Sequence, residues 1–534
     1  MSHRRVRLRR ATASLLCVAA LAMLPRSAGA TGFTDIGQDL RPRDAAEVSL
    51  HGYLRTRMEA LGNLDLDRGL TPSGDPLFPV SRSDPKAQWL TYGDMRLRTD
   101  LAVYAPGAAV AVKARIDTLD NFPLGGSAVG IPAASTTQGS GAVDAIRVKR
   151  AYGEVLTPFG VVVAGRTGSH WGLGLLTNSG DCLDCDSGDA ADRIALISPI
   201  LGHILAVAYD FSATGPFQPR RSPGRSIAIE PSTAVRSATL ALLNWRDDIA
   251  RERRRKAGKA TIEYGVYGAV RSQKDDLSSA YLPTVQPLPL AASQVMPRGY
   301  QAYAVDGWAR ITLPNLRIEA EAAYLNATVD QPSLIPGALL HDRATSNQLG
   351  AALESEGGPR DGSFGVGLDA GYASGDPAPG FGVNPSPGGR PPKAGDLDGA
   401  QAIPPFDNKV DNFRFHPDYR IDRILFREII GTVTDATYLR PHARVRLARI
   451  GPHGELTGSV AGIASWAVYA QSTPGQRRPL GVEIDPTLTY GHRDGFAVAL
   501  EHAVLFPLAG LDNPVQHLDA KPAQLVRLRL AFLF

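Results

Sequence analysis

The sequence lacks three features that would each have suggested a different class of protein. It holds only three cysteines in 534 residues, which excludes a dense disulfide scaffold. Beyond residue 30, no apolar stretch approaches the 18 residues that a transmembrane helix needs. The motifs G-x-S-x-G, H-E-x-x-H and the P-loop are all missing. The sequence therefore favours a protein without helical membrane spans that is not an enzyme.

The charge balance gives no support for nucleic-acid binding. Lysine and arginine number 57 and the acidic residues 53. The first 30 residues hold six of the arginines and no acidic residue, so the remainder of the chain is nearly neutral. We therefore expect no nucleic acid among the partners.

The N-terminus has the three parts of a secretory signal peptide. Residues 1–10 hold five arginines, and residues 11–24 are apolar but shorter than the roughly 20 residues of a membrane anchor. Ser27, Ala28, Gly29 and Ala30 then form a small-residue cleavage pattern. We predict a signal peptide at residues 1–30, a periplasmic N-terminal segment at 31–46 and a β-barrel at 47–534.

Short stretches of alternating apolar and polar residues, typical of β-strands, recur throughout the chain. Eighteen candidates are found, at residues 48–57, 92–104, 108–119, 143–156, 160–166, 193–198, 203–211, 233–245, 260–270, 300–313, 316–329, 346–354, 363–373, 436–450, 455–471, 480–490, 496–505 and 524–534.

The connections between these candidates alternate between long and short. Tight turns such as residues 157–158 and 314–315 alternate with long segments such as 58–91 and 374–435. This parity is typical of outer-membrane barrels, which have short periplasmic turns and long extracellular loops. We therefore expect an all-β, antiparallel, up-and-down transmembrane barrel of about 18 strands (16–20) in the outer membrane of a Gram-negative bacterium.

Two connections carry separate expectations. Residues 246–258 are basic and are interpreted as a solvated turn. Residues 415–434 are apolar and alternate poorly, so a short interfacial or plug helix and an extra strand both remain open.

The last eleven residues, QLVRLRLAFLF, alternate strictly. Val526, Leu528, Leu530 and Phe532 share one face with Phe534, and two arginines lie on the other. Pairing this strand with the first would remove an aggregation-prone edge. We expect Phe534 to be the residue that the barrel-assembly machinery meets.

Charged residues lie on one face of many candidate strands, opposite apolar residues. A charge facing lipid at the membrane midplane costs about 2–4 kcal/mol, so these side chains must face inward. The predicted channel-lining residues are Arg55, Arg57, Arg96, Arg98, Lys113, Arg115, Arg147, Lys149, Arg527, Arg529, Glu319 and Glu321. An acidic wall that includes Glu319, Glu321, Glu483, Asp485 and Glu501 would face the basic wall across water, unless internal ion pairs plug the lumen.

The segment GRTGSHWGLGLLTNSGDCLDCDSGDAADR, residues 165–193, is the most chemically dense part of the chain. A disulfide between Cys182 and Cys185 is the leading interpretation for an exported protein. A weak Ca²⁺ site from Asp181, Asp184, Asp186 and Asp189 is an alternative. Zinc held by both cysteines and His170 is a third. No other cofactor is expected.

The stretches GRTGSHWGLG, GDCLDCDSGDAADR and PDYRIDRILFREIIGTVT resemble an uncharacterised family of outer-membrane barrel proteins. The whole chain is loosely similar in layout to alginate-export-type barrels of 18 strands. The first resemblance implies the location and the fold, and the second implies passage of an anionic polymer through a basic lumen.

These observations lead to three functional hypotheses. The first is a passive, porin-like outer-membrane channel for small hydrophilic or anionic solutes. The alternatives are an export barrel for an anionic polysaccharide and a non-conducting surface barrel that binds or adheres through its loops. The expected partners are outer-membrane lipid, the barrel-assembly machinery and small solutes or an anionic polymer; the oligomeric state stays open.

Overall fold

The computed structural model describes residues 32–84, 88–125, 145–215, 217–219, 226–277, 294–335, 338–402 and 407–534. The predicted signal peptide lies outside these residues. The 18 long strands are β1 (Glu47–Gly62), β2 (Trp89–Tyr104), β3 (Val110–Pro123), β4 (Ile146–Thr157), β5 (Gly160–Gly168), β6 (Ala190–Ile200), β7 (His203–Ala213), β10 (Val235–Asn244), β11 (Thr261–Gln273), β14 (Tyr300–Thr312), β15 (Leu316–Val329), β16 (Ala344–Gly357), β17 (Phe364–Ala373), β18 (Ala436–Ile450), β19 (Gly454–Ala467), β20 (Pro479–His492), β21 (Phe496–Pro507) and β22 (Ala523–Leu533).

These strands form a closed antiparallel barrel. Each pairs with its neighbours in chain order, and β22 closes the sheet on β1 with Tyr53 opposite Leu533. At the seam, Gly52 and Phe534 exchange two backbone hydrogen bonds of 3.0 and 3.1 Å. The predicted strands, their number and the closure by the last strand are confirmed.

The remaining elements are short and lie in the connections. Two small hairpins lie in extracellular loops, β8 (Phe217–Pro219) with β9 (Ser226–Ala228) and β12 (Asp276–Leu277) with β13 (Val295–Met296). Helical segments occur at α1 (Asp248–Lys256), Pro231–Thr233, Pro387–Gly389 and Leu425–Ile430. Among the residues described, no helix is long and apolar enough to cross a membrane.

Helix α1 forms where the sequence indicated only a basic, solvated turn. The Asp247 side chain caps its N-terminus by accepting from Ala250 N at 2.6 Å. Four basic residues in the last turn complement the helix dipole. An N-terminal cap and a favourable interaction with the helix dipole therefore order this turn as a helix. The periodicity used to predict strands does not detect either interaction.

The outer wall is apolar, as a lipid-facing surface must be. In β10, Leu240 and Leu242 are 54% and 45% exposed, whereas Ala241 and Leu243 between and beyond them are fully buried inside. The neighbouring strand β11 repeats this with Val266, which is 56% exposed. A closed barrel with an apolar outer wall is an outer-membrane protein.

Among the residues described, parts of several extracellular loops fold into the barrel. Leu66, Trp171, Phe381 and Phe426 come from three such loops and are all 2% exposed or less. Three of them pack in one apolar cluster with wall residues such as Tyr438. The hydrophobic core therefore lies inside the barrel.

The segment before β1 also enters the lumen. Phe33 and Ile36 are 3% and 7% exposed and pack against inward-facing alanines of the wall. Gly32 N donates to His170 O at 2.8 Å, and Gly37 N donates to Glu154 Oε2 at 3.0 Å. Residues 32–40 thus line the inner wall between the inward loops and the periplasmic end.

The outward face gives a first prediction. Leu240→Arg should lower the free energy of unfolding in lipid by about 2–4 kcal/mol, because it places a charge near the membrane midplane. Arg236 faces the same side four residues nearer the extracellular edge. Arg236→Leu should therefore change stability by less than about 1 kcal/mol. Equal effects in a denaturant titration in lipid vesicles would contradict the assigned depth of β10.

Candidate functional site: an arginine-rich constriction

A wall carboxylate holds the first inward loop, residues 169–189. Glu321 on β15 accepts hydrogen bonds from three successive backbone amides, those of Leu173, Gly174 at 3.0 Å and Leu175 at 3.2 Å. Gly172 has φ +55°, and a Cβ there would lie 2.4 Å from the Glu321 Oε2. The W-G-L-G stretch thus needs glycine at Gly172 so that the backbone can wrap around the carboxylate.

A second wall carboxylate holds the longest loop, residues 374–435, in the same way. Glu483 on β20 accepts from the amides of Arg423 and Ile424, both at 2.8 Å, and Leu425 at 3.0 Å. The six-residue helical turn Leu425–Ile430 follows directly and is largely buried. Of the two possibilities left open for residues 415–434, the structure shows the plug helix, in shortened form, and no extra barrel strand among the residues described.

The two loops meet at Asp184, which lies at the centre of a cluster of arginines. Its carboxylate contacts five guanidinium groups, from Arg57 at 3.1 Å, Arg420 at 3.2 Å, Arg427 at 2.5 Å, Arg527 at 3.6 Å and Arg529 at 3.5 Å. Three of these arginines project from β1 and β22, on either side of the barrel seam, and two come from the long loop.

Asp186 takes a similar position two residues further on. Its contacts are with Arg55 at 3.2 Å, Arg57 at 2.8 Å, Arg96 at 4.0 Å, Arg420 at 2.7 Å and Arg427 at 3.6 Å. Asp184 and Asp186 together therefore contact seven different arginines. We call this set of nine residues the constriction.

The electrostatics of the constriction favour ionised aspartates. Burial by itself would raise the pKa of Asp184, but Arg427, Arg527 and Arg529 hold the pKa well below its usual value. Burial likewise opposes ionisation of Asp186, and the charges of Arg420 and Arg57 lower its pKa. Both side chains remain partly accessible, at 19% and 26% exposed.

The predicted disulfide between Cys182 and Cys185 is present and brackets Asp184. Cys185 O accepts from Arg96 Nη1 at 2.6 Å and from Arg55 Nη1 at 3.4 Å. The disulfide thus stiffens the tip of the loop that touches the arginines. It also excludes the zinc interpretation, because the thiolates that would bind the metal are joined.

The other predicted basic lining residues all lie near acidic partners. Arg98 makes a bidentate pair with Asp117, Lys113 pairs with Glu154 at 2.6 Å, and Arg115 pairs with Asp100.

Arg147 and Lys149 both contact Asp120, at 3.5 and 2.8 Å. A bulge opposite Arg115 shifts the alternation of β4 here. As a result Arg150, which the sequence did not single out, contacts Asp181 at 2.7 Å. A one-residue bulge reverses which side chains face inward, and the alternation of polar and apolar residues in the sequence does not predict it.

The predicted acidic lining residues are covered by protein. Glu319 pairs with Arg317 at 2.8 Å and accepts from Trp308 Nε1 at 2.8 Å. Glu321 and Glu483 are the loop anchors described above, and all three are 1% exposed.

The four aspartates of the weak Ca²⁺ hypothesis face arginine or histidine side chains of the protein itself. Asp181 pairs with Arg115 and Arg150, and Asp189 lies 3.5 Å from His416 Nε2. Asp184 and Asp186 belong to the constriction. A bound Ca²⁺ would therefore have to displace arginine side chains, and the hypothesis stays an untested prediction.

A second set of inward-facing basic side chains was missed. On β18, Arg440, His442, Arg444 and Arg446 alternate with outward-facing residues. Their side chains remain 17–28% exposed. The R-P-H-A-R-V-R sequence would have identified them by the same alternation argument. The loop arginines Arg420, Arg423 and Arg427 carried no such signal, because they belong to no strand.

Comparisons with known proteins give only distant structural similarity. No protein-family model and no curated protein sequence matches the chain. Among solved structures, OpdK of Pseudomonas aeruginosa, crystallised with vanillate, is 11% identical with a TM-score of 0.45, over 91% of this chain and 98% of that one. The outer-membrane channel DcaP of Acinetobacter baumannii is 11% identical with a TM-score of 0.37, over 92% and 99%. A BenF-like porin from Pseudomonas fluorescens Pf-5 is 9% identical with a TM-score of 0.41, over 91% and 98%.

The Glu321 anchor predicts a local change in backbone protection. Glu321→Gln replaces one acceptor oxygen with an amide donor while keeping the shape, which should weaken loop docking by about 1–3 kcal/mol. Hydrogen exchange at Leu173, Gly174 and Leu175 should then accelerate about tenfold, since 1.4 kcal/mol corresponds to a factor of ten.

Glu455→Gln is the matched control, because Glu455 pairs with Arg446 and is 42% exposed. That variant should leave the exchange of residues 173–175 unchanged. Equal exchange in the Glu321→Gln variant and the unmodified protein would show that the loop is held by packing alone.

The aspartates of the constriction predict a response to acid. Their lowered pKa values mean that they stabilise the docked loop fully above about pH 4, the value of an unfolded aspartate, and lose this effect as the pH falls below it. Ion conductance across a lipid bilayer should therefore begin to rise only as the pH falls below about 4, and it should continue to rise as the pH is lowered further. The D184N/D186N variant should show raised conductance already at pH 7 and a smaller change on acidification. Identical pH profiles of conductance in the variant and the unmodified protein would show that conductance does not depend on these two residues.

Proposed function

We propose that the protein is a passive, porin-like channel for small anionic solutes, with carboxylates or phosphates as the groups recognised. The observation that carries this proposal is that Asp184 and Asp186, on an inward loop, lie in contact with seven arginines. An anionic solute presents the same chemistry as these aspartates and would compete with them for the guanidinium groups.

The arginines of β18 support the same proposal on another part of the inner wall. Arg440, Arg444 and Arg446 pair with Asp369, Glu356 and Glu455 at 2.6, 2.5 and 2.9 Å and stay partly exposed. A solute that leaves the constriction would therefore meet further paired guanidiniums on the wall. Alternating pairs of this kind bind anions weakly enough to release them.

A non-conducting barrel that binds through its surface is the second candidate function. The buried loop residues favour it, because Trp171 and Phe426 pack as tightly as residues of a soluble core. An exporter of an anionic polysaccharide has less support. It would need a continuous basic lumen, and here carboxylates interrupt the basic side chains and several loops fold inward.

Reversal potentials across a planar bilayer test the channel proposal. A unit charge about 7 Å from a permeating ion in water contributes roughly 0.6 kcal/mol, close to RT, so each arginine removed should lower anion preference up to two- or threefold. The R440Q/R444Q variant should therefore lose most of its preference for chloride over potassium.

Arg166→Gln is the matched control. Arg166 pairs with Asp192 on the outer wall and is 49% exposed, so its loss should not change the selectivity. A correctly folded barrel without conductance, in both the unmodified protein and the D184N/D186N variant, would refute the channel and favour the surface-binding function.

A further inference from the structure

Two short periplasmic turns bring two histidines and one aspartate together, away from the lumen. His453 precedes β19, His492 ends β20, and Asp494 lies in the turn that follows. The strand register places Gly454 opposite His492, so that the turns lie side by side. Arg493 N also donates to His453 O at 3.0 Å, which ties one turn to the other.

The spacing of the three side chains is that of metal ligands. His453 Nδ1 lies 3.5 Å from Asp494 Oδ1, and His492 Nδ1 lies 3.4 Å from Asp494 Oδ2. One ligand atom from each residue falls within 4.8 Å of the other two. Ligands bound tetrahedrally at about 2.0–2.1 Å are roughly 3.3–3.4 Å apart. The nitrogen–oxygen separations are too long for good hydrogen bonds and close to this value.

We propose that His453, His492 and Asp494 bind a divalent transition-metal ion, Zn²⁺ or Cu²⁺. Imidazole nitrogen and carboxylate oxygen are ligands that both ions accept. Three protein ligands leave at least one coordination position for water or for an external ligand. The side chains are 49%, 30% and 71% exposed, so an ion can reach them from the periplasm.

The ion would bind with a small rearrangement of one hydrogen bond. His492 Nδ1 accepts from Asp494 N at 3.3 Å, a long contact that orients the ring toward the carboxylate. The metal would replace this contact. It would also join the β18–β19 turn to the β20–β21 turn, where Gly495 O accepts from Leu533 N of the last strand at 2.6 Å. Metal binding would thereby brace the periplasmic rim beside the barrel seam.

The proposal can be tested by electron paramagnetic resonance. Cu²⁺ is added to the barrel, which is purified in detergent without a polyhistidine tag, and the spectrum of the bound ion is recorded. We expect one bound ion per chain with hyperfine coupling to two imidazole nitrogens. His453→Ala and His492→Ala should each lower affinity at least about tenfold and leave one nitrogen. His203 lies on the same rim, with its Nε2 2.9 Å from the Tyr264 hydroxyl, and His203→Ala is the matched control.

The outcomes separate binding from nonspecific adsorption. Zn²⁺ should compete for the Cu²⁺ signal and raise the melting temperature of the unmodified barrel, and it should have no such effect in the H453A/H492A variant. Undiminished Cu²⁺ binding by that variant, or the absence of a stoichiometric site in the unmodified barrel, would overturn the proposal. Neither result depends on whether the lumen conducts.

Discussion

Ion pairing inside the barrel is the constraint on which the rest of the structure depends. Arginines occupy alternate positions along β1, β2 and β22. They must point into the barrel, because a charged side chain that faces lipid is destabilising. Once inside, guanidiniums such as Arg55 and Arg527 have no exposed surface, and a buried charge is costly unless it is paired and hydrogen-bonded. Neighbouring strands supply some carboxylates, such as Asp94 and Glu59. Asp184 and Asp186 supply the central ones, so the loop that carries them must enter the lumen.

The two loops are held inside the barrel by two wall carboxylates, which accept hydrogen bonds from backbone amides of the loops. A loop that turns inward exposes successive amides that no strand can pair, and each unpaired buried amide costs about 1–3 kcal/mol. Glu321 and Glu483 each take three of them. The same solution in both loops gives these two wall acids a role other than pairing with arginines. They hold the loops that carry the counter-ions or further arginines.

Strand alternation made much of the fold predictable, because it is dictated locally by lipid on one side and polar groups on the other. It gave the 18 strands, their closure through β22 and the inward direction of residues such as Arg57 and Arg529. It could not give the loop contacts, since Asp184 and Arg427 are far apart in sequence and belong to no strand. Nor could it indicate that Glu321 would bind backbone instead of facing water, because an acid on a strand has the same spacing in both cases. Arg150 was missed because a bulge shifts the alternation within β4.

The pairing of Asp184 and Asp186 also decides what could open the constriction. Moving this loop aside would leave seven arginines short of their central counter-ions, at several kcal/mol for each guanidinium that stays buried and unpaired. A neutral solute offers no compensation for that loss, and a cation would add to the repulsion. An anion can replace the aspartates one contact at a time, with charge-assisted hydrogen bonds of the same kind. If the protein is the anion channel proposed above, rejection of cations and neutral solutes would follow from the cost of uncovering the arginines, before any pore dimension is considered.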